Sequence, residues 1–305
     1  MIPVAQRMLS IAAPAMIAPM RWELEPDLGA FAARVRPLLE AHIENNVAAT
    51  VLMGTIQGQF HASPPVLVVG VDGGGGVAAA AMRTAPWPML CTTIDPGDAD
   101  ALLDLWLQRD PDLPGINALL DTAQAIAGAW SRRTGGSDHC RTAMAMHSLT
   151  TVADPPRPGP GRLVTATRAD RELALSWWDD FVAESHVLDA GPESRAATVE
   201  FRIAEGHLFL WQNEGRPVSM VSTNPAVAGV VRIGPVYTPP EVRRRGYASS
   251  AVAAVSRQAL NAGARTCMLY TDLANPTSNK IYADVGYRRI AEWEERVFTG
   301  VSPRR

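Results

Sequence analysis

The second half of the chain alternates apolar runs of strand character with apolar stripes of helical period. Leu173, Trp177, Trp178 and Phe181 form a broad apolar helix face, and two alternating runs flank the polar turn at 213–216. The pattern predicts strands at 162–167, 207–212, 217–222, 230–238, 266–272 and 287–298, and helices at 169–185, 196–204, 246–262 and 275–285. Early helices, a hairpin and then alternating strands and helices indicate an α/β fold with a mixed central sheet.

The first half repeats this order of elements more loosely. A helix is predicted at 28–45, interrupted near Pro37, and a hairpin at 66–71 and 77–83 about the glycine turn 73–76. A strand at 89–94 and helices at 99–108 and 116–134 follow. The repeated order predicts two domains of one architecture in tandem.

A proline- and glycine-rich connector divides the two halves. Residues 153–161 contain four prolines and two glycines in nine positions, which excludes a helix or a central strand. The division therefore predicts an N-terminal domain at 20–152, the connector at 153–161 and a C-terminal domain at 162–300. Residues 1–19 are expected to be a disordered arm or a mis-assigned start, because two prolines interrupt their short apolar run.

Composition excludes several classes of protein. A formal net charge of −3 provides no basic field for nucleic acid, and no apolar run is long enough to cross a membrane. Three widely spaced cysteines match no disulfide framework and no familiar zinc pattern, so we expect a cytoplasmic protein without a metal site. Lys280 is the only lysine beside many arginines and alanines, which suggests a GC-rich bacterial genome.

The most informative segment joins the strand at 230–238 to the next helix. It contains Arg243-x-x-Gly246-x-Ala248, with Arg244 and Arg245 inside the pattern. Such a loop can turn successive backbone N–H groups toward one point, and the following helix adds its unpaired amides and its positive dipole end. A concavity of this kind binds a diphosphate. The short pattern alone is equally compatible with a basic turn that precedes a helix.

A second motif resolves this ambiguity. Asn275-x-x-Ser278-x-x-x-Tyr282-x-x-x-Gly286-Tyr287 follows about thirty residues later. Together the two segments resemble the GCN5-related N-acetyltransferase (GNAT) family, over roughly residues 162–300. The first half lacks the Arg/Gly loop, so it resembles at most a degenerate GNAT-like domain that should not bind coenzyme A in the family's manner.

The resemblance implies a fold with a mixed, mostly antiparallel sheet flanked by helices, and acetyl-coenzyme A (acetyl-CoA) as co-substrate. It places the acyl carrier in a gap between the two central strands. Its predicted contacts are the strand end Val236, Tyr237 and Thr238, the loop residues Arg243, Arg244, Arg245, Gly246, Tyr247, Ala248 and Ser249, and the motif residues Asn275 and Ser278.

The resemblance also implies a general acid at Tyr282, whose phenol is protonated at neutral pH. By pattern alone, a packed core tyrosine is the more common role for a residue such as Tyr282, and its place in the motif favours the general acid. The base is not identifiable from the sequence. Glu184 or His186, at the end of the first C-terminal helix, would lie on the acceptor side.

The sequence thus predicts an acetyl-CoA-dependent N-acetyltransferase that acts by direct attack of a bound primary amine. The acceptor would be a small molecule or peptide, with no nucleic acid or membrane partner, and the protein a monomer or homodimer. A non-catalytic acyl-CoA-binding regulatory module is the alternative, and an aminoacyl transfer enzyme is a weaker one. The N-terminal domain is expected to wall the acceptor cleft or to mediate assembly.

Overall fold

The computed structural model describes residues 20–58, 63–185 and 191–300. Within them the first half contains β1 (Arg21–Leu24), α1 (Leu28–Ala41), α2 (Asn46–Ile56), β2 (Val66–Val71), β3 (Val77–Arg83), β4 (Met89–Cys91), α3 (Ala99–Trp106), β5 (Gly115–Leu119), α4 (Leu120–Thr134) and β6 (Ser137–Leu149). The second half contains β7 (Arg162–Thr165), α5 (Arg171–Ser185), α6 (Pro192–Ala204), β8 (Leu208–Asn213), β9 (Arg216–Thr223), β10 (Val230–Tyr237), α7 (Tyr247–Asn261), β11 (Thr266–Asp272), α8 (Pro276–Val285) and β12 (Arg288–Thr299). The two halves therefore have the same order of strands and helices.

The strands form one continuous mixed sheet in the order β1-β2-β3-β4-β5-β12-β6-β11-β10-β9-β8-β7. Only β4–β5 and β10–β11 are parallel pairs, and the other neighbours run antiparallel. This confirms the predicted α/β class with a mixed, mostly antiparallel sheet between helices.

The two halves exchange their last strands. β12, from the end of the second half, lies between β5 and β6, and β6, from the end of the first half, lies between β12 and β11. β12 and β6 pair from Arg288↔Ser148 to Thr299↔Ser137. Each half therefore completes its sheet only with a strand from the other.

Helices cover both faces of this sheet in a symmetric way. On one face α1 and α2 pack over Val69, Met82, Leu90 and Met146, and α5 and α6 pack over Leu208, Leu210 and Met220. On the other face α3 and α4 cover Met89 and Ile116, while α7 and α8 cover Val231 and Leu269. The alternation of these strand residues places equivalent helices of the two halves on the same face.

Several sequence expectations need correction in the first half. The predicted helix at 116–134 is wrong at its start, because Gly115–Leu119 is strand β5 and the helix begins at Leu120. Ile116 and Ala118 are both buried, as expected for alternate residues on one face of a strand. Helix α2 and the long strand β6 were not predicted at all. The proposed arm at 1–19 lies outside the described residues.

The connector, residues 153–161, is packed along the C-terminal half. The Ala153 amide donates to the Val285 carbonyl (2.9 Å), and the Gly159 amide donates to the Ser250 hydroxyl (2.9 Å). Trp211 donates its indole N–H to the Pro160 carbonyl (2.9 Å). The extended conformation was expected, but the docking onto α7 and β8 was not. The predicted domain boundaries fall between secondary-structure elements. Strands β6 and β12, however, each pair with strands of the other half.

Candidate functional site

The central feature of the site is the divergence of β10 from β11. These parallel strands pair only at Val230–Arg232, opposite Thr266–Met268, although both strands continue further. A register shift between Ile233 and Val236 adds one residue to β10 against β9, where Val236 and Tyr237 pair with Val221 and Met220. The edge of β10 that faces β11 therefore has no strand partner beyond Arg232 in the described ladder.

The loop that follows β10 turns its backbone toward the start of α7. Arg244 and Gly246 both have positive φ, at 63° and 80°. Gly246 is the N-cap residue of α7, and the Ser250 amide is bonded back to the Gly246 carbonyl (3.0 Å). The amides before Ser250 belong to the unpaired first turn of the helix. This arrangement has the donors and dipole that an anion requires.

Gly246 is required by its surroundings as well as by its φ. A Cβ at this position would lie 2.7 Å from the Gly159 nitrogen and would also collide with the Arg157 carbonyl. The connector thus occupies the back of the loop. Gly246 is also one of the predicted coenzyme A contacts, so the connector meets the loop at a residue of the predicted site.

The three loop arginines differ in their partners. Arg243 donates to both carboxylate oxygens of Glu184 (2.8 Å each), and its guanidinium lies over the Tyr237 ring at 5.6 Å. Arg244 and Arg245 are exposed and have no acidic partner among the described residues. Two cations of the loop are therefore free to meet an anion at the helix start.

The remaining loop residues have local structural roles. Tyr247 is buried, and its hydroxyl accepts a hydrogen bond from the Asn213 amide (3.1 Å). Ser249 donates its hydroxyl to the Gly246 carbonyl (3.0 Å), and Ala248 is half-buried in the first turn. The side chains of Tyr247 and Ser249 are thus used within the protein, and the backbone amides of this first turn are what the loop leaves for an anion.

The end of β10 meets two carboxylates of α5. The Tyr237 hydroxyl donates to Asp180 (3.2 Å), and burial raises the pKa of Tyr237 to about 12, helped by the nearby Asp180 and Glu184 charges. Ser219 donates to the Tyr237 carbonyl (2.9 Å) and contacts the Thr238 hydroxyl (2.8 Å). Sequence reasoning missed Asp180, although its spacing of four from Glu184 places both on one helix face. His186 lies outside the described residues.

Helix α8 presents the second motif. Asn275 caps the helix by accepting from the Ser278 amide (3.1 Å), which is a structural duty not foreseen for either residue. Tyr282 is half-buried beside the apolar cluster that also contacts Val236, and its ring packs against Tyr287 at 6.0 Å. Its hydroxyl has no hydrogen-bond partner within the described ranges. Burial raises the pKa of Tyr282 to about 12, so the phenol stays protonated at neutral pH.

Two further properties bear on the class of protein. No group of three or more metal-ligating side chains lies together among the residues that the structure describes. In that same part of the chain, no helix has both the length and the apolar character needed to cross a membrane.

Comparison with known proteins identifies a family match in the C-terminal half. The acetyltransferase (GNAT) family model matches residues 172–287. No curated protein sequence matches the chain significantly.

Among solved structures, the chain is similar to a GCN5-related N-acetyltransferase from Sphaerobacter thermophilus, with TM-score 0.61, 14% identity, and coverage of 92% of this chain and 96% of that one. It is also similar to a GNAT-family acetyltransferase from Colwellia psychrerythraea (TM-score 0.54, 11% identity, 92% and 100% coverage). A third similar structure is that of a GCN5-related N-acetyltransferase from Kribbella flavida (0.54, 18%, 83% and 96%). Identities this low establish the shared fold, which spans both halves. Residues 172–287 of this chain are therefore a domain of the acetyltransferase (GNAT) family, within a protein that has the GNAT fold.

Proposed function

We propose that the C-terminal half transfers the acetyl group of acetyl-CoA to a primary amine in a ternary complex. The observation that carries this proposal is the gap between β10 and β11, which leads directly into the free amides and arginines at the start of α7. The open edge of β10 at Val236–Thr238 suits an extended amide-bearing arm, since such an arm can pair with a strand edge. The diphosphate would meet the amides of the loop, with Arg244 and Arg245 as its ionic partners.

The protein's own groups supply the two proton transfers that the reaction needs. The amine nitrogen forms a bond to the acetyl carbon, the carbon–sulfur bond breaks, and the sulfur takes a proton. Tyr282 supplies that proton or a hydrogen bond to the departing sulfur, because its hydroxyl is protonated and free of other partners. A carboxylate of α5 accepts the proton that the amine loses, directly or through water.

Of the two α5 carboxylates, Glu184 is held by Arg243 and Asp180 accepts from Tyr237. Both carboxylates are therefore engaged by another side chain, and Arg243 contacts both oxygens of Glu184. We retain Glu184 in the proposal on the condition that Arg243 moves to the bound anion, and we add Asp180 as the second possible base.

Tyr282→Phe tests the proposal. We expect turnover to fall about 10²–10⁴-fold, while coenzyme A affinity measured by calorimetry changes less than twofold. The hydroxyl acts when the thiolate leaves and not when the cofactor docks. The assay is thiol release from acetyl-CoA with a library of primary amines, including small amines and peptides.

The same assay has a pH prediction. Because the pKa of Tyr282 is raised to about 12, its acidic form persists through the alkaline range, and turnover should not decline from loss of this acid between about pH 7 and 10. Wild-type turnover by Tyr282→Phe would exclude the assigned role. Coenzyme binding without acceptor-dependent thiol release would favour the non-catalytic module.

For the N-terminal half we propose a degenerate domain of the same fold that binds no coenzyme A. The proposal is supported by its matching order of elements and by the residues at the start of α3, where Asp95, Asp98 and Asp100 replace the arginines of the other loop. Calorimetry should therefore give about one coenzyme A per chain.

A further inference from the structure

A cavity of about 350 Å³ lies in the first half, next to the place where the two halves join. Helix α2 contributes Val51, and β4 contributes Leu90 with Trp87 from the segment before it. Three neighbouring strands of the exchanged region supply polar groups: Asn117 from β5, Glu295 from β12 and Thr142 from β6. The volume is within the range of cavities that bind small molecules.

This cavity lies at the same end of the strands as the gap between β10 and β11. β5 pairs antiparallel with β12, β12 with β6, and β6 with β11. β5 and β11 therefore run in opposite directions, so the beginning of β5 and the end of β11 lie at the same end of the sheet. Asp272, the last residue of β11, pairs with Met144, and Thr142 lies two residues beyond this pair. The row that contains Thr142, Glu295 and Asn117 is therefore level with the opening of the gap.

The cavity is also on the same face as the acceptor side of the site. Met144 and Leu90 pack with Val230 and Met268 of the central strands under α1 and α2. Tyr237 packs with Trp177 of α5 on that face. Two strand spacings separate β6 from β10, which is about 10 Å. This separation is comparable with the length of a small arylalkylamine.

The lining specifies the chemistry of an occupant. Most of it is apolar, and the polar groups are few and adjacent. Glu295 is buried, and one of its oxygens accepts from Arg141 (2.7 Å). Its second oxygen has no hydrogen bond among the described residues. Burial raises the pKa of Glu295, with Arg141 acting against that rise. A buried acceptor of this kind is suited to a donor N–H or O–H group.

We propose that this cavity binds the body of the acceptor, and that the acceptor is an amine carrying an aryl or branched alkyl group with the reactive nitrogen at one end. Glu295 accepts a hydrogen bond from an N–H or O–H group on that body. The inference rests on the proposed function and assigns the acceptor pocket to the N-terminal half. It gives that half a part in substrate selection without a second coenzyme site.

Direct binding tests this inference independently of activity. The probe is 2-(4-hydroxyphenyl)ethylamine, whose phenol O–H can donate to Glu295, and its binding to the full chain is followed by ligand-observed NMR. The polar control of similar length is 2-(2-methoxyethoxy)ethylamine, which has no donor apart from its amine. Thr142→Trp and Val51→Trp fill the cavity from opposite walls. Ala33→Trp adds similar bulk at the shallow cleft of α1 and serves as the matched control.

We expect the wild-type protein to bind 2-(4-hydroxyphenyl)ethylamine in preference to the polar amine. Each filling variant should weaken that binding about tenfold or more. The Ala33→Trp variant should bind the amine as the wild type does, and the coenzyme A affinity of every variant should be unchanged. The inference would be overturned if the wild-type protein did not bind the amine. It would also be overturned if both filling variants kept the wild-type melting temperature and bound the amine as tightly as the wild type does.

Thiol release separates the two levels of the argument. If wild type acetylates apolar amines and the filling variants keep the same KM for them, the proposed function stands and this pocket assignment fails. If the filling variants lose amine binding but wild type releases no thiol with any amine, the pocket assignment stands and the transfer proposal fails.

Discussion

The two halves differ in the charges and hydrogen-bonding groups at one equivalent loop. This loop joins β10 to α7 in the second half and β4 to α3 in the first. In the second half, the loop carries three arginines and ends on a left-handed glycine before a fifteen-residue helix. In the first half, the same place is acidic. The Asp98 carboxylate accepts from the Met20 amide (3.1 Å), and its carbonyl accepts from the Trp22 indole (3.2 Å).

This difference shows that the fold alone does not make a diphosphate site. In both halves a helix on the same face connects the two strands of a parallel pair: α3 connects β4 to β5, and α7 connects β10 to β11. In the first half the helix start is closed by β1 residues, and the nearby Asp100 is paired with Arg132 (3.0 Å). An incoming anion would meet negative charge, and the Asp98 and Ala99 amides already donate to the Asp95 and Pro96 carbonyls. Under the proposed function, the residues at the helix start therefore restrict coenzyme A to the second half.

The opposite contrast holds on the face of α1, α2, α5 and α6. In the first half, α2, the segment before β4 and β5 leave a cavity. In the second half, Arg202 of α6 lies on this face, donates to Ser222 (2.9 Å) and Asn224 (3.1 Å) and lies over Trp178. The first half thus combines a cavity with a closed helix start, whereas the second half has the open loop. The proposed active site would use one of these openings from each half.

The largest effect should come from separating the halves. A fragment of residues 162–300 lacks β5 and β6, so β12 loses both of its neighbours and β11 loses one. A fragment of 20–152 lacks β11 and β12, so β6 loses both of its neighbours and β5 loses one. We expect each fragment alone to aggregate, because both expose unpaired strand edges and apolar surface. Solubility and far-UV circular dichroism measure this directly.

Co-expression of the two fragments sharpens the same test. The exchanged strands should join them, giving a soluble complex that binds coenzyme A and keeps at least a tenth of the intact turnover. A soluble, fully active fragment beginning near Arg162 would show that the first half contributes neither a strand nor an acceptor pocket. Chains cut at the connector but refolded together provide the control.

A smaller effect is expected from the back of the diphosphate loop. Gly246→Ala should lower the free energy of unfolding by about 3 kcal/mol and weaken coenzyme binding, because the new Cβ meets the connector as well as an unfavourable φ. Gly215→Ala is the matched control, since its φ of 77° is similar but nothing lies within 4 Å of its Cβ. Its cost should be about 1 kcal/mol.

Chemical denaturation compares the two glycine variants. Equal losses would mean that the connector yields to the added methyl group, and that it does not support the loop. Gly246→Glu would not separate these effects, because its side chain would clash with the connector before any repulsion of a cofactor could be measured.

Sequence patterns predicted the second half well because its elements carry strong local signals. The strand Thr266–Asp272 matches its predicted bounds, and the helix before it ends where Gly263 follows. The motif residues Gly246 and Tyr282 were also recognisable from spacing. The first half was harder, since alanine-rich stretches such as Ile116–Thr134 suit either a strand or a helix until burial decides.

What the sequence could not predict depends on pairing over long separations. The exchange of β6 and β12 joins residues about 150 positions apart, such as Thr142 and Glu295, and no local pattern encodes such a partner. The exchange brings Glu295 into the lining of the cavity, so local sequence patterns could not identify this residue. Asp180 could have been found, because it lies one helical turn from Glu184.

The smallest effect should come from the charges of the diphosphate loop. Arg244→Gln and Arg245→Gln should each weaken coenzyme A binding by about tenfold, which corresponds to about 1.4 kcal/mol, because neither arginine has an acidic partner in the described part of the chain. Arg132→Gln, which removes an exposed arginine from the closed helix start of the first half, should leave binding unchanged. Calorimetry at two salt concentrations checks the cause, since the loss in each loop variant should shrink at high ionic strength. A comparable loss in Arg132→Gln would show that the overall field of the protein attracts the cofactor, and that the contrast between the two loops does not decide where it binds.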